Sequence, residues 1–153
     1  MSLVIRNAIV ACLASVPGIG PVHSFERFAA DDKRFRTLYA QGSAVLGWHV
    51  RRVGRREQCD MNLVDTDWEI RGFAGMNDAD ESELAFDALL DAVFAAWRAD
   101  PTLGGVVFYP KDDEVMVPSL VDSGPVMFAG VLCHAARLKI STRHRLETPT
   151  PWE

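Results

Sequence analysis

GWHVRRVGRRE, residues 47–57, alternates at its start: Trp48 and Val50 fall on one face, His49 and Arg51 on the other. Alternation with period two is the mark of a β-strand with one covered face. Val53-Gly54 interrupts the pattern, which predicts a bulge or a strand end there. On this reading Trp48 and Val50 point inward, Arg51 and Arg55 outward, and Arg52 and Arg56 lie beyond the core at a bulged end.

A second alternating stretch, DTDWEIRGFAG (65–75), sets Trp68 and Ile70 against Asp67, Glu69 and Arg71. Two such strands joined by a polar connection predict an antiparallel hairpin, in which Glu69 can lie across from an arginine. The next segment, 77–101, changes period. Phe86, Leu89, Leu90, Val93, Phe94 and Trp97 form a bulky helical stripe, and Glu83, Asp87, Asp91 and Arg98 form a polar one. Ala85, Ala88, Ala92, Ala95, Ala96 and Ala99 make a third, flat stripe. The bulky stripe must cover a sheet. The alanines are expected to pack on an N-terminal helix, through Ala8 and Ala11, in preference to a neighbouring subunit. Asp80 with Glu83 reads as a capping box, and Pro101 ends the helix.

Working outward, Leu3, Ile9, Leu13 and Val16 recur at helical spacing, capped by Ser2 and stopped by Pro17-Gly18. Arg6 and Asn7 break the resemblance of this segment to a secretory signal, and no apolar run approaches ~20 residues, so a cytosolic chain without a membrane span is expected. Asp31 or Asp32 can cap a short helix holding Phe35, Leu38 and Tyr39. TLGGVVFYP (102–110) reads as a turn and a short strand, DSGP (122–125) as a turn, and 126–147 as one long final strand. On that strand Phe128, Leu132, Leu138 and Ile140 share a phase opposite Arg137, Lys139, Ser141 and Arg143. The fold class expected is α+β: a mainly antiparallel sheet with two principal helices packed on one face. Residues 1–145 form one domain and 146–153 a loose tail.

The composition suits a single globular domain: 153 residues, 48% hydrophobic, 24% charged, net charge −5. A pI near 5.3 argues against a general nucleic-acid binder. Three distant cysteines (Cys12, Cys59, Cys133) without CxxC spacing read as buried free thiols. His23, His49, His134 and His144 have no ligand spacing, so no metal site is expected. GIGPV (18–22) and LGG (103–105) fit no phosphate-binding loop, and DSGP lacks a nucleophile-elbow context. The acidic run Asp78, Asp80, Glu81, Glu83 lacks EF-hand spacing and suits a helix N-terminus. KDDE (111–114) reads as a charged loop tip. No acid–base pair stands out as catalytic, and no cofactor is expected.

What remains is charge pattern. Arg51, Arg55, Arg137, Lys139 and Arg143 give the strands a basic outer face; Glu83, Asp87 and Asp91 give the long helix an acidic one. These residues are the candidate interface, either with a second copy head to tail or with another acidic surface. Solvated edge protection is the plainer account.

The order of parts resembles a known family. It runs from an N-terminal helix through a hairpin with W-x-I (68–70) to a D-x-S-E-x-x-x-D-x-L-x-D-A-V helix (80–93) ended by DPTLGG (100–105). A last strand with PVMFAGVL (125–132) closes it. This layout, over about residues 3–145, resembles the tail terminator and tail-completion proteins of long-tailed bacteriophages and prophages, including Gp37-like minor tail proteins. The segment 24–42 is longer than the matching connection in the simplest members. The resemblance implies a structural, non-enzymatic subunit of a ring, generally a hexamer. That ring would cap the tail tube protein and present a surface to head–tail connector proteins. DNA would pass the lumen unread. Assembly would take place in the host cytoplasm and end in the virion tail. The competing readings are a small ligand-binding domain or enzyme, seeded by His49, Asp67 and Glu69, and a nucleic-acid binder using the arginine strand.

Overall fold

In the computed structural model, residues 1–27, 29–41, 44–77, 81–108 and 117–147 are described. Helix α1 spans Ser2–Ala14, α2 Asp32–Leu38 and α3 Ser82–Ala99. Strands β1 (Val22–His23), β3 (Ala44–Gln58), β4 (Leu63–Gly75), β5 (Ser119–Phe128) and β6 (Val131–Arg145) form a sheet in the order β1-β3-β4-β6-β5. A short β2 (Ala40–Gln41) pairs with the start of β3. All these pairings are antiparallel except β1 with β3. The fold is α+β, as the sequence pattern implied.

The hairpin of β3 and β4 places Arg51 directly opposite Glu69, and the register shifts between Arg52 and Gly54. The expected bulge is therefore present, and it does more than end the strand. One extra residue reverses the side-chain phase. Arg55 pairs with Thr66 and stands on the helix-covered face, whereas Arg56 pairs with Asp65 on the other. The outward placement expected for Arg55 is corrected by this reversal.

One face of the sheet is covered by α1 and α3. Ile5, Ile9 and Leu13 from α1, and Phe86, Leu90, Val93 and Trp97 from α3, close over Trp48, Val50, Trp68, Ile70, Leu138 and Ile140. Both central indoles have partners: Trp48 Nε1 donates to Ile19 O at 2.8 Å and Trp68 Nε1 to Thr142 Oγ1 at 2.9 Å. Gly72 sits opposite Trp48, and a Cβ there would lie 2.3 Å from the indole. The alanine stripe divides. Ala92 and Ala96 pack at the core beside Ala8, whereas Ala85, Ala88, Ala95, Ala99 and Ala11 stay exposed.

The opposite face carries a second cluster at one end, where α2 supplies Phe35 and Leu38 over Val45, Phe73, Val131 and Cys133. Asp31 caps α2, accepting from Arg34 N at 2.8 Å. This cover buries His49, which the alternation had placed on an open face.

Other expectations need correction. Ser2 is the first helical residue and not a cap, and Leu3 points to solvent while Ile5 takes the core position. Helix α3 starts at Ser82 behind Glu81, whose φ is 54°; the Asp80 of the expected capping box and the 111–114 loop tip lie outside the described residues. Residues 101–106 form turns and Phe108 makes one bridge to Arg143; the end of the expected short strand, 109–110, lies outside the described residues. DSGP lies inside β5, and the turn falls at Ala129-Gly130, where φ is 49° and 80°. The single long strand is thus a hairpin, and Leu132 is exposed. Cys133 is buried and Cys12 half-buried, but Cys59 is exposed. No described helix is long and apolar enough to cross a membrane.

Candidate functional site

Antiparallel pairing fixes which charges meet on the sheet face away from α1 and α3. Central strand β4 contributes Asp65, Asp67 and Glu69. On one side β3 brings Arg51 and Arg56; on the other β6 brings Arg137, Lys139 and Arg143. Arg143 grips Asp65 with two bonds of 2.7 and 3.0 Å. Asp67 accepts from both Arg56 and Ser141. Arg137 pairs with Asp122 on β5 and lies 4.0 Å from Glu69. Arg51 bonds Glu26 at 3.0 Å. These arginines hold Asp65, Asp67 and Glu26 below the usual carboxylate range, with the hydrogen bond as the main cause in each. The expected basic face is therefore laced with acid–base pairs across the strands, while Arg71, on the same face of β4, lies over the Phe73 and Phe128 rings. Lys139 has no ion pair among the described residues, though it sits in register with Glu69.

The acidic ridge on α3 is different. Glu83, Asp87 and Asp91, four residues apart, share one exposed helix face and make no ion pair among the described residues. Of the candidate interface set, Arg51, Arg137, Lys139 and Arg143 belong to the sheet lattice. Arg55 stands apart on the helix side, beside Arg52, Met1, Ser2 and His144, and pairs with Glu57.

The seeds of an enzymatic site do not converge. His49 is 1% exposed, and its Nδ1 meets Tyr39 Oη at 3.0 Å. Its Nε2 has no partner among the described residues. Burial pushes its pKa down to about 4, the leading cause, so the ring is neutral. Asp67 and Glu69 serve the ion-pair lattice, and neither bonds to His49.

One contact escaped the sequence. Ser82 Oγ lies 2.8 Å from His134 Nε2 in an open groove between the start of α3 and strand β5, walled by Met76, Leu84, Phe86 and Pro125. The residues are fifty-two positions apart, so no spacing signalled them. Ser82 Oγ also accepts from Asn77 N at 2.8 Å, which ties the turn before α3. Hydroxyl activation needs a base oriented by a third group. No described carboxylate bonds to His134, and the serine sits in a cap-like hydrogen-bond pattern. The arrangement joins the helix start to β6. Among the described residues no group of histidine, cysteine and carboxylate side chains could hold a metal ion.

Compared with models of known protein families and with curated proteins, the chain matches none.

Proposed function

We propose that the chain is a tail terminator-like structural subunit. It assembles as a ring on the end of a phage or prophage tail tube, stops tube growth and offers a surface for joining the head. The observation that carries this reading is where the exposed apolar side chains lie. Met1, Leu3 and Val4 lie at the α1 end of the strands and Met76, Leu84, Met127 and Leu132 toward the other; Phe25, Val53, Met61, Phe108, Leu120 and Val121 are exposed as well. Patches at molecular ends suit contacts with other protein surfaces. β5 also ends the sheet as an edge strand carrying only one charged residue, Asp122, and unpaired edges are ready templates for assembly.

The role is mechanical and not enzymatic. It needs two unlike surfaces on one rigid body, one matching the tube and one refusing a further tube ring. The hexameric closure, the tube and connector partners, and the virion-tail location all follow from the resemblance in layout. Passing DNA would not be read for sequence; Arg51, Arg56, Arg137 and Arg143 of the sheet face are engaged by neighbouring carboxylates.

The test is tube assembly. Purified chain is added to polymerising tube protein from the same phage or prophage, and tube lengths are measured by negative-stain electron microscopy. Short tubes bearing a terminal ring are expected. An unchanged length distribution at excess chain refutes the proposal.

A further inference from the structure

We infer that copies of this chain join end to end along the strand direction, with the α1 end of one copy seated in the groove at the α3 end of the next. This rests on the ring reading and names the contact that would build the ring.

Strand β6 gives the axis. His134, near its start, lines the groove at the beginning of α3; His144, near its end, lies beside Met1 and Ser2. Ten strand residues separate them, roughly 33 Å. The two sites therefore mark opposite ends of the molecule and cannot block one another.

Each end pairs apolar surface with charge mainly of one sign, although Glu57 already partners Arg55 at the α1 end. At the α3 end, Leu84 is 61% and Met76 38% exposed, and Glu83 and Asp87 stand on the same groove. At the α1 end, Leu3 is 65% and Val4 51% exposed on the first turn of α1, and Met1 and Ser2 before them lie beside Arg52 and Arg55. The bulge in β3 is what brings Arg55 to this side. Arg52, Glu83 and Asp87 have no ion-pair partner among the described residues. Apolar matches apolar, and cation matches carboxylate. A contact between two different patches is heterologous, so it closes into a ring or runs on as a filament, according to the rotation per copy. Isologous pairing of either end would face like charge with like charge.

Charge exchange tests this. One variant carries Arg52→Glu and Arg55→Glu; the other carries Glu83→Lys and Asp87→Lys. All four positions are exposed, and circular dichroism checks that both variants fold. Sedimentation velocity over a concentration series at low salt should show wild-type self-association that weakens as salt rises. Each variant alone should associate at least roughly tenfold more weakly, because like charges now meet at every contact. Mixed one to one, the variants should recover association, since each end then meets its complement. Overturning results are a monomeric wild type, a variant that associates like wild type, or a mixture without recovery. The tube-length assay reports separately on the terminator role. A protein that shortens tubes but fails the exchange keeps the role and loses this contact.

Discussion

His49 should make the fold sensitive to acid in a range where the carboxylates are still ionised. Its ring is 1% exposed and surrounded by Tyr39, Phe73 and the α2 cover. Burial drives its pKa from an ordinary 6.5 to about 4; Arg71, Arg51 and His23 push the same way, and Glu26 opposes them. The folded pKa is depressed. Stability is therefore complete above pH 6.5 and is lost as pH falls toward 4, because only the unfolded histidine takes up a proton. Linkage gives a loss of about 2 kcal/mol at pH 5 and about 3 kcal/mol at pH 4. The perturbation is His49→Phe, which keeps an aromatic ring and removes the titration. Urea unfolding followed by tryptophan fluorescence at pH 7, 6, 5 and 4 measures the difference. Wild type should lose that much more stability than the variant over the range. Asp65 and Asp67 titrate in both proteins, so their contribution cancels. Parallel curves would refute the assignment of a buried neutral His49.

Gly72→Ala should destabilise by about 1–3 kcal/mol in urea unfolding, because the new methyl meets the Trp48 indole against strand β4. Ala129→Asn should stabilise by about 0.5–1 kcal/mol, because residue 129 holds φ at 49° in a two-residue hairpin turn that favours Asn-Gly. Thiol labelling of the native chain at neutral pH should modify Cys59 quickly. Cys12 and Cys133 should wait for denaturant, since burial raises both to about 11.

Periodicity made the large elements legible. The stripe through Phe86, Leu90, Val93 and Trp97 and the alternation through Trp48 and Trp68 each concern many residues, so local exceptions could not hide them. The interruption at Val53-Gly54 was readable as a bulge, but its effect on phase was not, because a break in a pattern does not say how many residues it inserts. The β5–β6 turn was misplaced for a chemical reason. Ser-Gly-Pro carries strong turn residues yet sits on an edge strand, where glycine and proline are tolerated. The real turn uses an alanine, which sends no signal. Alternation places His49 outward because it reports one covered face, and α2 covers the second only at one end. Ser82 with His134, and the gathering of Arg52 and Arg55 beside Met1, join distant segments and leave no trace in local spacing.

The acid and base columns of the sheet determine how this face looks from a distance. Along Asp65, Asp67 and Glu69 its charges change sign from strand to strand, at a spacing of about 4.8 Å, and only Arg71 breaks the β4 column. A field built from such narrow stripes cancels beyond about one layer of water. A surface rich in arginine by composition is thus electrically quiet a short way off. A long polyanion moving past it would meet Arg56, Arg137 and Arg143 already paired with carboxylates.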